Sequence, residues 1–90
     1  MNTQETELLT ITLEECAEVV QAISKCFRFG MECRYPDGAP TNKEHLEEEI
    51  GDLLCMVKIL EDKGIIDVDN VHAATRNKYE KLSKWSNVTL

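Results

Sequence analysis

The sequence predicts an all-α fold, an antiparallel helical bundle of about three helices that is completed to a four-helix-type bundle when copies associate. Three observations carry that expectation. Apolar residues recur at alternating steps of four and three along the first third of the chain, the spacing of one helix face. Only four glycines and two prolines interrupt 90 residues, and most of them fall between the periodic segments. With 42% hydrophobic and 30% charged residues, the composition is globular and helix-leaning rather than disordered.

The first element reads as one long helix from about Gln4 to Phe29. Leu9, Leu13, Cys16, Val20, Ile23 and Phe27 form its sustained stripe, which is expected to be the core face. Glu5 and Glu7 suit the positive end of the helix dipole, and Gly30 supplies a stop. A later start at Thr12 is the alternative, since T-L-E-E with Glu15 fits a capping box; Leu9 and Leu13 already keep the stripe and favour the longer helix. Residues 30–42 read as loop, with Y-P-D-G as the turn signal. Thr41 and Glu44 then make a capping box for a second helix that runs to about Asp62 and ends at Gly64. Its expected core face is Leu46, Ile50, Leu53, Leu54, Val57 and Leu60. Met56 and Ile59 lie off that face, which predicts burial on more than one side, as in an oligomer. Asp67 or Asp69 caps a third helix through Val71, Ala74, Leu82 and Trp85. No repeat or second domain is visible, so residues 1–90 read as a single helical domain. A chain this short buries a modest share of its surface alone, and a second copy, as dimer or tetramer, is the expected remedy.

Composition also excludes partners. The net charge of -7 argues against a nucleic acid polymer, because such binding rests on phosphate neutralisation by Lys and Arg. No apolar run approaches the length of a membrane span, and the N-terminus lacks a signal-peptide pattern, so a soluble, cytoplasmic protein is expected with no membrane association. Cys16, Cys26, Cys33 and Cys55 form no C-x-x-C pair and no zinc spacing with His45 or His72. Three of them fall in helical patterns and are expected to be reduced, small core residues, with Cys33 in the loop apart. The acid is unevenly placed: residues 44–52 hold five acids and no base, whereas Arg76, Lys78, Lys81 and Lys84 make the C-terminal segment basic.

The acid falls into pairs. Glu15 and Glu18 are three residues apart on the first helix, and Glu49 and Asp52 repeat that spacing on the second, so each pair projects from one helix face. Like charges at that spacing repel, and two such pairs facing each other would repel more unless a cation sat between them. Hard oxygen ligands from facing helices are what magnesium or manganese takes. A solvated acidic face is the competing reading. Gly51, inside the second pair, lacks a side chain and would admit another backbone or a ligand.

E-E-C-A-E at 14–18 followed by E-I-G-D at 49–52 resembles the E-E-x-x-E and E-x-x-D signature of the MazG-like, all-α nucleoside triphosphate pyrophosphohydrolases. S-K-C-F-R-F-G at 24–30, D-L-L after the second pair and K-Y-E-K-L-S-K-W at 78–85 are similar to small single-domain bacterial and phage members, so the likeness runs from about Leu8 to Trp85. The resemblance implies magnesium, with manganese as a substitute, held by Glu15, Glu18, Glu49 and Asp52, with Glu14 as an outer ligand or water-orienting group. It implies cleavage of a nucleoside triphosphate between the α and β phosphorus atoms, giving monophosphate and pyrophosphate, with Glu14 or Glu18 as general base. The interval between Glu18 and Glu49 is longer than in many relatives, which makes the Y-P-D-G loop an added element.

Lys25 lies seven positions after Glu18, two turns along the same face, where it would reach a phosphate beyond the metal. Arg28 at the helix end would clamp phosphate oxygens, and Lys78 and Lys81 on the third helix offer the same service. Phe29, Tyr35 and Trp85 are the candidates for stacking on a base. The expected task is control of the nucleotide pool or removal of non-standard nucleotides. The alternatives are a phosphoribosyl-ATP or dUTP pyrophosphatase of the same fold, and a non-enzymatic helical module that oligomerises.

Overall fold

The computed structural model describes residues 1–90 and contains three helices and no strand: α1 (Thr3–Phe29), α2 (Asn42–Asp62) and α3 (Val68–Trp85). The side chain of Asn2 caps α1 by accepting from the Glu5 amide, so the helix starts before Gln4. The Thr12 hydroxyl donates to Leu8 O at 2.8 Å in mid-helix, which leaves no cap at Thr12. Gly30, at φ 96°, stops the helix while its N–H still reaches Cys26 O. The capping box of α2 is present in both directions between Thr41 and Glu44, and Thr41 is buried. Asp67, rather than Asp69, caps α3 by accepting from the amides of Asp69 and Asn70.

α1 and α2 pack as an antiparallel hairpin, closed by residues 30–41. The loop is knitted to the start of α2: Asn42 N donates to Cys33 O, Lys43 N to Met31 O, and Asn42 Nδ2 to Gly30 O. Its tight turn is Pro36–Ala39, closed by Ala39 N to Pro36 O, with Gly38 at φ 86° supplying the left-handed position.

The packing reverses the expected faces. The α1 stripe expected in the core turns outward: Leu13, Cys16, Val20, Ile23 and Phe27 are all exposed, Phe27 at 86%. The face against α2 is the neighbouring one, Leu8, Thr12, Glu15, Val19, Ala22 and Cys26, on which Ala22 is 0% exposed. Both sets repeat near 3.6 residues, and the small Ala22 lets the helix axes approach closely. On α2, Met56 and Leu60 are buried and Ile59 half-buried, while Ile50 and Leu54, expected in the core, are exposed. Of the helical cysteines only Cys26 is half-buried; Cys16 and Cys55, expected as core residues, are exposed free thiols.

α3 stands apart from the hairpin rather than completing a bundle with it. It contains no buried residue, and Ala74 and Trp85 are exposed. The molecule measures 43 × 38 × 15 Å and has a radius of gyration of 16.1 Å, against about 12 Å for a compact chain of this length. One chain therefore leaves its largest apolar faces uncovered.

Candidate metal centre and adjoining cavity

The helix register of the hairpin decides which carboxylates meet. Glu15 is on the α1 face that packs on α2, and Glu49 and Asp52 lie three residues apart on the facing side of α2. One oxygen from each of Glu15, Glu49 and Asp52 falls within 4.8 Å of the others. Glu18 is exposed and lies outside this group, as does the exposed Glu14. Both still act on it through their charge. Glu15 holds its proton above the usual carboxylate range, first because packing against α2 desolvates it, then because Asp52, Glu49, Glu18 and Glu14 repel its charged form. A carboxylate cluster with this much mutual repulsion is a hard-oxygen donor set, and it fits magnesium or manganese. A Cβ at Gly51 would meet nothing within 4 Å, so its close approach is to nothing in its own chain.

His45, one turn before Glu49 on α2, stands with Nε2 3.1 Å from Glu49 Oε1. The Glu49 side chain is only 12% exposed, so His45 is a close neighbour of a largely covered carboxylate. His45 was absent from the residues expected at the site, although H-x-x-x-E on a helix is a spacing that brings the two side chains together.

Beyond His45, at the closed end of the hairpin, lies a cavity of about 540 Å³. α1 contributes Lys25 and Phe29 to its wall, the loop contributes Tyr35 and Pro40, and α2 contributes Asn42 and His45. Lys25 has no ion-pair partner. Arg28 borders a separate shallow depression on the outer side of α1 and stacks over Phe29 at 4.8 Å. Lys78 and Lys81 line neither cavity, because α3 stands off the hairpin. Trp85 is likewise remote from the cavity, whereas Phe29 and Tyr35 both border it.

Two pairs of carboxylates on adjoining helices, three of the four drawn together, with a cavity one turn away, is an arrangement suited to a polyanion bridged to protein by a cation. No helix is long and apolar enough to cross a membrane. Comparison with curated proteins and with solved structures gives no match. The family model of the MazG nucleotide pyrophosphohydrolase domain matches residues 3–86, almost the whole chain and all three helices, and this protein belongs to that family.

Proposed function

We propose that the protein is a metal-dependent nucleoside triphosphate pyrophosphohydrolase, converting a (deoxy)nucleoside triphosphate and water to the monophosphate and pyrophosphate. The observation that carries this reading is the convergence of Glu15, Glu49 and Asp52 within 4.8 Å across two helices of a chain in this family. Those three residues would hold magnesium or manganese, with Glu18 the fourth ligand or the general base, and Glu14 the other candidate for the base. When bound, the metal supplies charge neutralisation on the phosphates and a lowered pKa for the attacking water. The protein's own contribution is to place the ligands: His45, 3.1 Å from Glu49 Oε1, would help to orient that carboxylate. Lys25 is the free cation on the cavity side and is assigned to the phosphates, with Arg28 beside it.

Self-association belongs to the same proposal. Leu13, Val20, Ile23 and Phe27 on α1 and Leu54 on α2 form exposed apolar surface that a second copy would cover, giving a dimer or tetramer. Lys78 and Lys81 would then serve a site from a neighbouring copy or balance the acidic helices. The biological task is nucleotide-pool control or removal of non-standard nucleotides.

The test is the products formed from a panel of ribo- and deoxyribonucleoside triphosphates with magnesium, including dUTP and phosphoribosyl-ATP, resolved by chromatography. Monophosphate plus pyrophosphate is expected from the wild type. Glu15→Gln and Asp52→Asn should each cut the rate by at least about a hundredfold, more than is lost when a residue only orients a ligand. Diphosphate plus phosphate, or full activity in both variants, overturns the assignment.

A further inference from the structure

The cavity at the closed end of the hairpin has features that phosphate binding does not use. Its volume, about 540 Å³, lies within the range of small-molecule pockets. Two aromatic rings border it from different elements, Phe29 at the end of α1 and Tyr35 in the loop. Arg28 stacks on the Phe29 ring, whereas Tyr35 is 93% exposed and has no ring or cation over it. The loop that brings Tyr35 there is braced: Arg34 Nη1 donates to Ala39 O at 3.2 Å, and its other terminal nitrogen stands 3.9 Å from Glu44. Stacking on such rings is how proteins hold nucleobases without large cost in ordering.

The polar atoms at this cavity have a definite sign. Asn42 spends its amide nitrogen on Gly30 O at 2.9 Å, which fixes the amide orientation and leaves Oδ1 as the atom it can offer. An amide acceptor and an unpaired lysine at one cavity suit a ligand with an amino donor at one end and anionic oxygens at the other. The span is right as well. Asn42 sits seven residues, about 10 Å along the axis, from Glu49, so a nucleotide whose phosphates lie at the carboxylate cluster has its base at the cavity.

We infer that this cavity, built by the loop over residues 30–42, is a nucleobase subsite that favours bases carrying an exocyclic amino group, cytosine and adenine, over uracil. The inference rests on the hydrolase reading for the position of the phosphates. Tyr35 and Phe29 supply stacking, and Asn42 Oδ1 accepts from the amino group. A uracil carbonyl placed there meets that acceptor and gives it no donor, which disfavours uracil.

The experiment compares steady-state kinetics on CTP, ATP and UTP for wild type, Tyr35→Ala and Asn42→Leu, with tripolyphosphate as a base-free inhibitor. The expected result is kcat/KM for CTP at least about tenfold above UTP. In Tyr35→Ala, KM for CTP should rise roughly tenfold while inhibition by tripolyphosphate is unchanged; in Asn42→Leu the CTP preference should collapse. Tyr35 is exposed, so its variant folds whatever becomes of Asn42→Leu. A preference for UTP, an unchanged KM in Tyr35→Ala, or a parallel loss of tripolyphosphate inhibition overturns the subsite, the last by showing that the cavity holds phosphate. If wild type hydrolyses no nucleotide, the hydrolase reading fails while the subsite is still decided. Metal-free protein should then bind cytidine over uridine by saturation-transfer NMR and lose that binding in Tyr35→Ala; equal or absent binding overturns it.

Discussion

The two faces of α1 have similar periodicity and opposite surroundings. The inner face carries Leu8, Val19 and the fully buried Ala22, and it brings Glu15 to the carboxylates of α2. The outer face carries larger apolar side chains, Leu13, Val20, Ile23 and Phe27, and leaves them in water. The inner face is built for close approach and the outer face for apolar area. The difference teaches that a hydrophobic stripe identifies residues with a common destination but does not say what lies there. In this chain the richer stripe faces away from the only substantial helix partner within the monomer.

The largest effect is expected from a charge on the outer face. Ile23→Asp would place a carboxylate in the proposed contact between copies, weakening association by about 3 kcal/mol or more, roughly a hundredfold. Sedimentation should then show a monomer with helix content intact. An unchanged oligomer would mean that the outer face is not the contact.

Ala22→Leu probes the inner face of the same helix one residue away. With Ala22 at 0% exposure the added atoms have no room, and overpacking should cost about 1–3 kcal/mol in urea unfolding. It should also separate α1 from α2 and weaken magnesium-dependent stabilisation, because Glu15 is on that face. Loss of stability with metal response preserved would show that the carboxylates are positioned independently of the helix spacing. A smaller change is expected at the loop end: Thr41→Ala removes the buried cap of α2 and should cost about 1 kcal/mol.

The contrast between the faces also marks what could be read in the sequence. Helix positions were legible because local chemistry sets them: Gly30 ends α1, Thr41 with Glu44 starts α2, and Asp67 starts α3. That acid of α1 could face Glu49 and Asp52 was legible from two i, i+3 acid pairs on consecutive helices, but that Glu15 joins them and Glu18 does not was not. The orientation of α1 was not, since residues 8, 12, 15, 19, 22 and 26 form a stripe of smaller and mixed side chains that a hydrophobicity count ranks second. Nor was the detachment of α3, whose Val71 and Leu82 lie half-buried on an amphipathic helix with no substantial helix partner within one chain. The position of Tyr35 at a cavity was beyond reach, because it depends on hydrogen bonds from Asn42 and Lys43 back to the loop.

The smallest effect separates two carboxylates that differ in what surrounds them. Glu44 accepts hydrogen bonds from the Thr41 backbone and side chain, which hold its pKa below the ordinary 4.5. The unfolded chain therefore binds more protons than the folded one just below pH 4.5, so this contribution is full above that value and lost as pH falls through the folded pKa. Glu15 is shifted the other way by desolvation and by its acidic neighbours. The folded chain binds more protons there, so stability falls as pH rises from 4.5 through the folded pKa of Glu15. Thermal melts of the metal-free protein should thus show a slope of stability against pH that is positive below about pH 4.5 and negative above it. Magnesium should abolish the decline on the alkaline side only, and Thr41→Ala, which loses the hydroxyl but keeps the backbone donor, should reduce the rise on the acid side only. A magnesium effect equal on both sides would mean that the ion acts by general screening and not at the cluster of Glu15, Glu49 and Asp52.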